Sequence, residues 1–269
     1  MKRMLTYTQG VALFHGLQTD LDHDYGIHMN QNQMENIVNV MTNKFPSGGN
    51  RGTYAECVFL EKDKANEQDY RTAKSFVKML ENAEFRDILK ELVEFGISRY
   101  ERDFSNTYRN TNFVLYQKYT YGDVCRLLNW ERNEVPLNIG GYKFDKKTKT
   151  FPVFINYDKA EDISDTTKYE DHFAGNHTLI AISKSGRSVN SEDVQNFLHA
   201  QERVIQVHLF VRKNKDNSIS KEFYYLGNMR ASGKCREFIM PKTDKKAVEI
   251  EWLLDVPVRE DIYEYIVNA

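Results

Sequence analysis

Apolar positions recur at helical spacing through the first part of the chain. The run NQMENIVNVMTNKF (32–45) places Met34, Ile37, Val38 and Met41 on one face and ends at the breaker PSGGNRG, which predicts a helix. The run ANEQDYRTAKSFVKML puts Tyr70, Ala73, Phe76, Val77 and Leu80 on one stripe. NAEFRDILKELVEFGISRYERDF does the same with Phe85, Ile88, Leu89, Leu92 and Phe95. Both stripes read as core faces of packed antiparallel helices.

Beyond about Asn110 the pattern changes. NFVLYQKYTYGDVCRLLNW reads as a short strand followed by a one- or two-turn helix from Gly122 to Trp130. Six strand-like runs follow: 140–144, 150–157, 178–183, 203–213, 221–227 and 246–254. Polar loops separate them: FDKKTK, the acidic DKAEDISDTTKYED, KNKDNS and NMRASGK. SEDVQNFLHA predicts one short helix, opened by Ser191 with carboxylates in its first turn. Strands without regular βαβ alternation predict an α+β chain, with a helical subdomain over 1–112 and a β-rich domain over 113–269. The second is expected to be a compact mixed sheet or partly closed β-barrel.

Composition narrows the function classes. The 269 residues carry 37 Lys and Arg against 39 Asp and Glu, a formal charge of −2, which excludes a uniformly basic coat but not a local basic patch. Cys57, Cys125 and Cys235 are odd in number and far apart, which argues against a disulfide framework and for a reducing, cytoplasmic setting. No apolar run approaches the ~20 residues of a membrane span.

Catalytic motifs are missing. The chain has no G-x-x-x-x-G-K-[ST] phosphate loop, no G-x-S-x-G around a serine and no His/Cys set at metal-ligand spacing. The triplets Asp145–Lys147 and Asp244–Lys246 faintly resemble metal-dependent nuclease strands, but both sit in Lys-rich turns. No catalytic residue, metal or cofactor is therefore expected.

Charge and aromatic rings are unevenly distributed. Residues 184–246 carry thirteen Lys and Arg against seven Asp and Glu, whereas 155–171 carry two against six. Tyr142, Phe144, Phe151, Phe154, Tyr157, Tyr169 and Phe173 precede the basic SKSGR (183–187). An extruded nucleobase needs aromatic walls, a group that reads its edge, and cations on the backbone. A carboxylate suits the cytosine amine. On this chemistry Tyr142, Tyr157, Tyr169 and Asp171 are the candidate base pocket. Ser183, Lys184, Ser185, Arg187, Arg212 and Lys213 are the candidate phosphate contacts.

The ordered blocks DVCRLLNWERNEVPLNIGGYKFDKKTKTFPVFINYDKAEDIS, TKYEDHF, ISKSGR and HLFVRK…FYYLG resemble the family termed domain of unknown function 3427, found at the C-terminus of helicase-like proteins. They resemble in particular the target-recognition region of SauUSI-like type IV restriction enzymes. That resemblance implies a non-catalytic module that binds double-stranded DNA containing 5-methylcytosine or 5-hydroxymethylcytosine by base flipping. It also implies an SRA- or PUA-like barrel, and partnership with the helicase and nuclease domains of a longer chain. It carries over no pocket residues. A metal-dependent nuclease, and an interaction module whose helical half docks on a helicase motor or pairs with itself as a homodimer through the helices at 66–104, stand as the alternatives.

Overall fold

The structure is a computed structural model, and it describes residues 28, 30–46, 58–62, 64, 70–134, 141–157, 171–213, 221–240 and 244–268. The chain divides into two compact units, Met1–Asn106 with Asn129–Val135, and Thr107–Leu128 with Pro136–Ala269.

In the first unit, α1 (Gln31–Met41) starts at a capping box. Asn30 accepts from the Gln33 amide, and the Gln33 side chain accepts from the Asn30 amide. Buried Asn36 donates its side-chain amide to the Trp130 carbonyl, tying the 129–135 segment to this unit. β1 (Leu60–Lys62) pairs antiparallel with β2 (Tyr70–Thr72). The expected helical stripe that begins at Tyr70 is thus a strand up to Thr72, where the pairing with β1 satisfies its backbone, and a helix only from Lys74. α2 (Lys74–Leu80) buries Phe76 and Leu80 against Phe85 and Leu89 of α3 (Ala83–Asp103). The rest of the α3 stripe departs from expectation. Ile88, Leu92 and Phe95 are 52%, 61% and 61% exposed, because α2 is only seven residues long and reaches no farther along its partner.

The second unit is an α+β sheet structure. β3 (Lys118–Tyr119) and α4 (Tyr121–Leu127) come first, the helix started by a Thr120–Asp123 capping box. β4 (Thr150–Asn156), β5 (His172–Phe173), β6 (Thr178–Ile182), α5 (Glu192–Leu198), β7 (Gln206–Arg212), β8 (Phe223–Ile239), β9 (Lys246–Leu254) and α6 (Glu260–Val267) follow. The strand order is β4-β7-β8-β9-β6-β5, with β3 paired to the start of β8. β4 and β7 run parallel, and the other ladders are antiparallel.

The long β8 joins two half-sheets. Its first half pairs with β7 and its second half with β9. One core serves both: Phe151, Val153 and Ile155 of β4 pack in the same cluster as Trp252, Leu179 and Phe197. The expected partly closed barrel is not formed, since the path from β4 to β5 stays open among the described residues. NMRASGK, expected to be a loop, lies inside β8. Its Gly233 has φ +96 and sits where the β8–β9 register shifts between Ala231 and Cys235, so the turn-like residues make a bulge rather than a reversal. Phe154, on the opposite face of β4, stacks on Phe210 at 5.1 Å, with Phe113 and Tyr121 adding rings. β4 is therefore buried on both sides, which explains its unbroken apolar sequence. Among the described residues no helix is long and apolar enough to cross a membrane.

Candidate functional site

Two connections bring the site together. The first is the turn before β4. Tyr142 bridges to Val153, and the Asp145 carboxylate accepts from the Thr148 amide and hydroxyl, both at 2.8 Å. Asp145 is thereby a turn-capping residue. The second is the 183–191 loop between β6 and α5. The Ser183 amide donates to the Val248 carbonyl, and the Val248 amide donates to Ser183 Oγ. Gly186 has φ +81, a conformation that favours glycine, and its amide reaches the Lys246 carbonyl. That turn directs Lys184 and Arg187 back toward Tyr142.

The side chains then interlock. Tyr142 Oη donates to Asp193 Oδ2 at 2.8 Å and accepts from the Lys184 amide at 3.0 Å. Arg187 Nε donates to the same Asp193 oxygen at 2.7 Å. The Lys184 ammonium lies 4.8 Å from the Tyr142 ring centroid. Together with Lys143 and Phe144 these residues line an open recess of about 490 Å³. That is within the roughly 300–1,000 Å³ typical of ligand clefts.

The electrostatics follow from this packing. Burial drives the Tyr142 phenol well above its ordinary range, so it stays a neutral donor. Burial also works to raise the Asp193 carboxyl, but the bonds from Arg187 and Tyr142 outweigh it and hold the group below the usual carboxylate range. The Asp193 bond raises the Arg187 guanidinium. Burial, with Arg187 beside it, lowers the Lys184 amine. The recess thus presents a neutral aromatic wall, a fixed anion and several cations within a few ångströms.

Of the residues singled out from sequence, Tyr142, Lys184 and Arg187 meet here. Ser185 is exposed on the same loop. The others lie elsewhere. Tyr157 is 5% exposed and packs its ring on Phe173 at 5.7 Å, inside the core. Asp171 accepts from the Ile182 amide at 2.8 Å, which ties it to the end of β6. Buried Ser183 is spent on β9. Arg212 is buried, bonded to Asn156 Oδ1 at 2.5 Å and stacked 4.5 Å over Phe223. Lys213 donates to the Asn268 carbonyl. Tyr169 lies outside the described residues. The sequence reading missed Asp193 and Lys143, and gave Phe144 only as one of the aromatic positions before SKSGR. Asp193 was visible as a first-turn acid of α5, six residues after Arg187, but was read only as helix-dipole chemistry. Among the described residues no group of three or more His, Cys, Asp or Glu is placed to hold a metal ion.

Fold and site together define an α+β protein whose open seven-stranded sheet carries a cation-rimmed aromatic recess at the β6–α5 connection. The chain belongs to the family described as Domain of unknown function (DUF3427), whose model matches residues 113–266. Residues 3–102 match a second family model, Domain of unknown function (DUF8090). No curated protein matches the chain. Similar solved structures include the SUVH5 SRA domain in complex with hemi-methylated CG DNA, 10% identical with a TM-score of 0.36, covering 54% of this chain and 91% of that one. SUVH5 SRA bound to fully hydroxymethylated CG DNA is 11% identical, with a TM-score of 0.33 and coverages of 52% and 87%. Arabidopsis thaliana SUVH6 in complex with SAM is 8% identical with a TM-score of 0.37, and 96% of this chain spans 40% of it. All three are distant likenesses.

Proposed function

We propose that the second unit is a non-catalytic DNA-binding module that takes a cytosine modified at carbon 5 into the recess beside Tyr142. The module would select DNA for the helicase and nuclease domains of a longer chain, as the sequence resemblance implies. The observation that carries the reading is the convergence of Tyr142, Asp193, Lys184 and Arg187 on one cleft. Asp193 Oδ2 is occupied by Tyr142 and Arg187, which fixes the carboxylate plane. Oδ1 accepts the Val194 amide at 3.1 Å and retains a lone pair for a base amine. The Lys184 ammonium covers the Tyr142 ring face in the free protein. An entering base would displace it onto a flanking phosphate, so one movement opens the stacking face and anchors the backbone. The half-buried Phe144 provides the apolar contact for a 5-methyl group. One such group is worth ~1–3 kcal/mol, about 10–200-fold in preference.

The test is binding of one duplex sequence, methylated or unmodified, at a single moderate salt concentration. The reading predicts preference for the methylated duplex, and its loss in Asp193→Asn with background binding retained. Equal affinity for the two duplexes rejects it.

A further inference from the structure

α3 carries an apolar face that its own unit leaves uncovered. Ile88, Leu92 and Phe95, at i, i+4 and i+7, are each more than half exposed on one face of this helix, and Tyr100 is exposed beyond them. Such a contiguous patch is unusual on a surface with no partner. A second feature lies beside it. Gly96 is in the interior of this 21-residue helix, where glycine is the least favourable residue after proline. Among the described residues nothing accounts for it, since a Cβ built at Gly96 would meet no atom within 4 Å. A glycine that the monomer does not require, next to uncovered Leu92 and Phe95, is what close approach of another helix requires.

The charges along α3 identify that helix. Exposed Glu84 and Asp87 flank the N-terminal end of the apolar face, and exposed Arg99 and Arg102 flank the C-terminal end. Two copies of α3 laid antiparallel about Val93 place Arg99 opposite Asp87 and Arg102 opposite Glu84, and the two-fold axis repeats both pairs. The same register brings Leu92 and Phe95 of one copy to within one residue's rise, about 1.5 Å, of Phe95 and Leu92 of the other, with Gly96 at their edge. In the single chain both arginines instead reach toward Asp103, at 3.9 Å for Arg99 and 2.8 Å for Arg102. We propose that this protein forms a two-fold dimer in which α3 pairs antiparallel with α3 of a second copy through Ile88, Leu92, Phe95 and Gly96. The proposal is independent of the DNA reading above, because it concerns the other unit and needs no ligand.

Sedimentation equilibrium of the 269-residue chain without DNA tests it, with charge-swapped variants fixing the register. Wild type should be a dimer, and Leu92→Glu should weaken association by roughly tenfold or more, as for a central apolar contact. Arg99→Glu with Arg102→Glu, and separately Glu84→Lys with Asp87→Lys, should each weaken self-association through like charges. Mixing the two variants should restore a dimer holding one of each. Gly96→Ala should raise the thermal midpoint measured below the dissociation concentration while loosening the dimer, which a purely structural glycine would not do. A chain that stays monomeric at all concentrations, a dimer indifferent to Leu92→Glu, or variants that fail to associate on mixing would each overturn the proposal.

Discussion

Tyr142→Phe removes one oxygen and leaves the ring in place, so it isolates the hydroxyl that ties the recess together. Two bonds are lost, the 2.8 Å donation to Asp193 and the 3.0 Å acceptance from the Lys184 amide. A bond to a charged group contributes about 1.5–3 kcal/mol, and a buried amide left without an acceptor costs about 1–3 kcal/mol. Both figures are reduced here. Arg187 still holds Asp193 Oδ2, and the open recess lets water reach the Lys184 amide. The net expectation is a loss of about 2 kcal/mol. The ring lies 4.9 Å from Phe197, itself 4.9 Å from Trp252, so tryptophan fluorescence during urea unfolding reports on this part of the core. At temperatures where the variant remains folded, its preference for methylated over unmodified duplex should also fall, because Asp193 is no longer held in one plane. A variant as stable as wild type to within ~0.5 kcal/mol, with unchanged preference, would refute the claim that this hydroxyl organises the site; that margin is the scatter expected of neutral substitutions.

Two further outcomes are expected. His208 is 1% exposed, and since Tyr225 Oη gives its proton to Asn228, His208 Nδ1 is the donor to Tyr225, while Nε2 has no hydrogen-bond partner among the described residues. Burial lowers its pKa from 6.5 to about 3, so between those values the unfolded chain binds a proton that the folded chain refuses. Stability then falls by about 1.4 kcal/mol per pH unit below 6.5, close to 2 kcal/mol by pH 5. Urea melts at pH 7 and 5 should show this loss in wild type and not in His208→Gln. Tyr157→Ala should unfold the second unit at lower urea by about 3–5 kcal/mol, as an aromatic truncated in a core does, rather than erase base preference in a protein of normal stability; parallel melts and duplex binding distinguish the two.

How far the fold was legible follows from what local pattern encodes. β4, β7 and β9 were visible because each is dominated by apolar, largely β-branched or aromatic residues, and their observed bounds fall within the runs read from sequence. The second half of β8 was hidden. Gly233 and its polar neighbours spell a turn, and only pairing with β9 across the bulge keeps them extended. α6 was also missed, since Arg259 at its N-cap is not a residue type that signals a helix start. For α3 the spacing gave the amphipathic face correctly and its burial wrongly, because periodicity says which side is apolar and nothing about what covers it. In the site, Tyr142, Lys184 and Arg187 were reachable from residue type and order. Asp193 depended on a tertiary approach, α5 turning back onto the residues before β4, that no local window contains.

The basic segment shows the same effect in its charges. Its excess of thirteen cations over seven anions was counted over 184–246. Sheet pairing sets Lys234 against Glu251 at 3.1 Å and Arg236 against Glu249 at 3.1 Å, both partners lying just beyond that window. Lys246 pairs with Glu237 at 2.6 Å inside it. A count along the chain therefore overstates the field that a phosphate would meet, since antiparallel strands bring in anions from outside the counted stretch. At the recess the local balance is smaller: Lys143, Lys146, Lys184 and Arg187 stand against Glu192 and Asp193. If roughly two to four phosphates are neutralised there, the logarithm of affinity falls with the logarithm of salt with a slope of about −2 to −4. That is a shallow electrostatic grip. Under the proposed function, charge at the recess contributes little to affinity, and selectivity comes from the base it takes in.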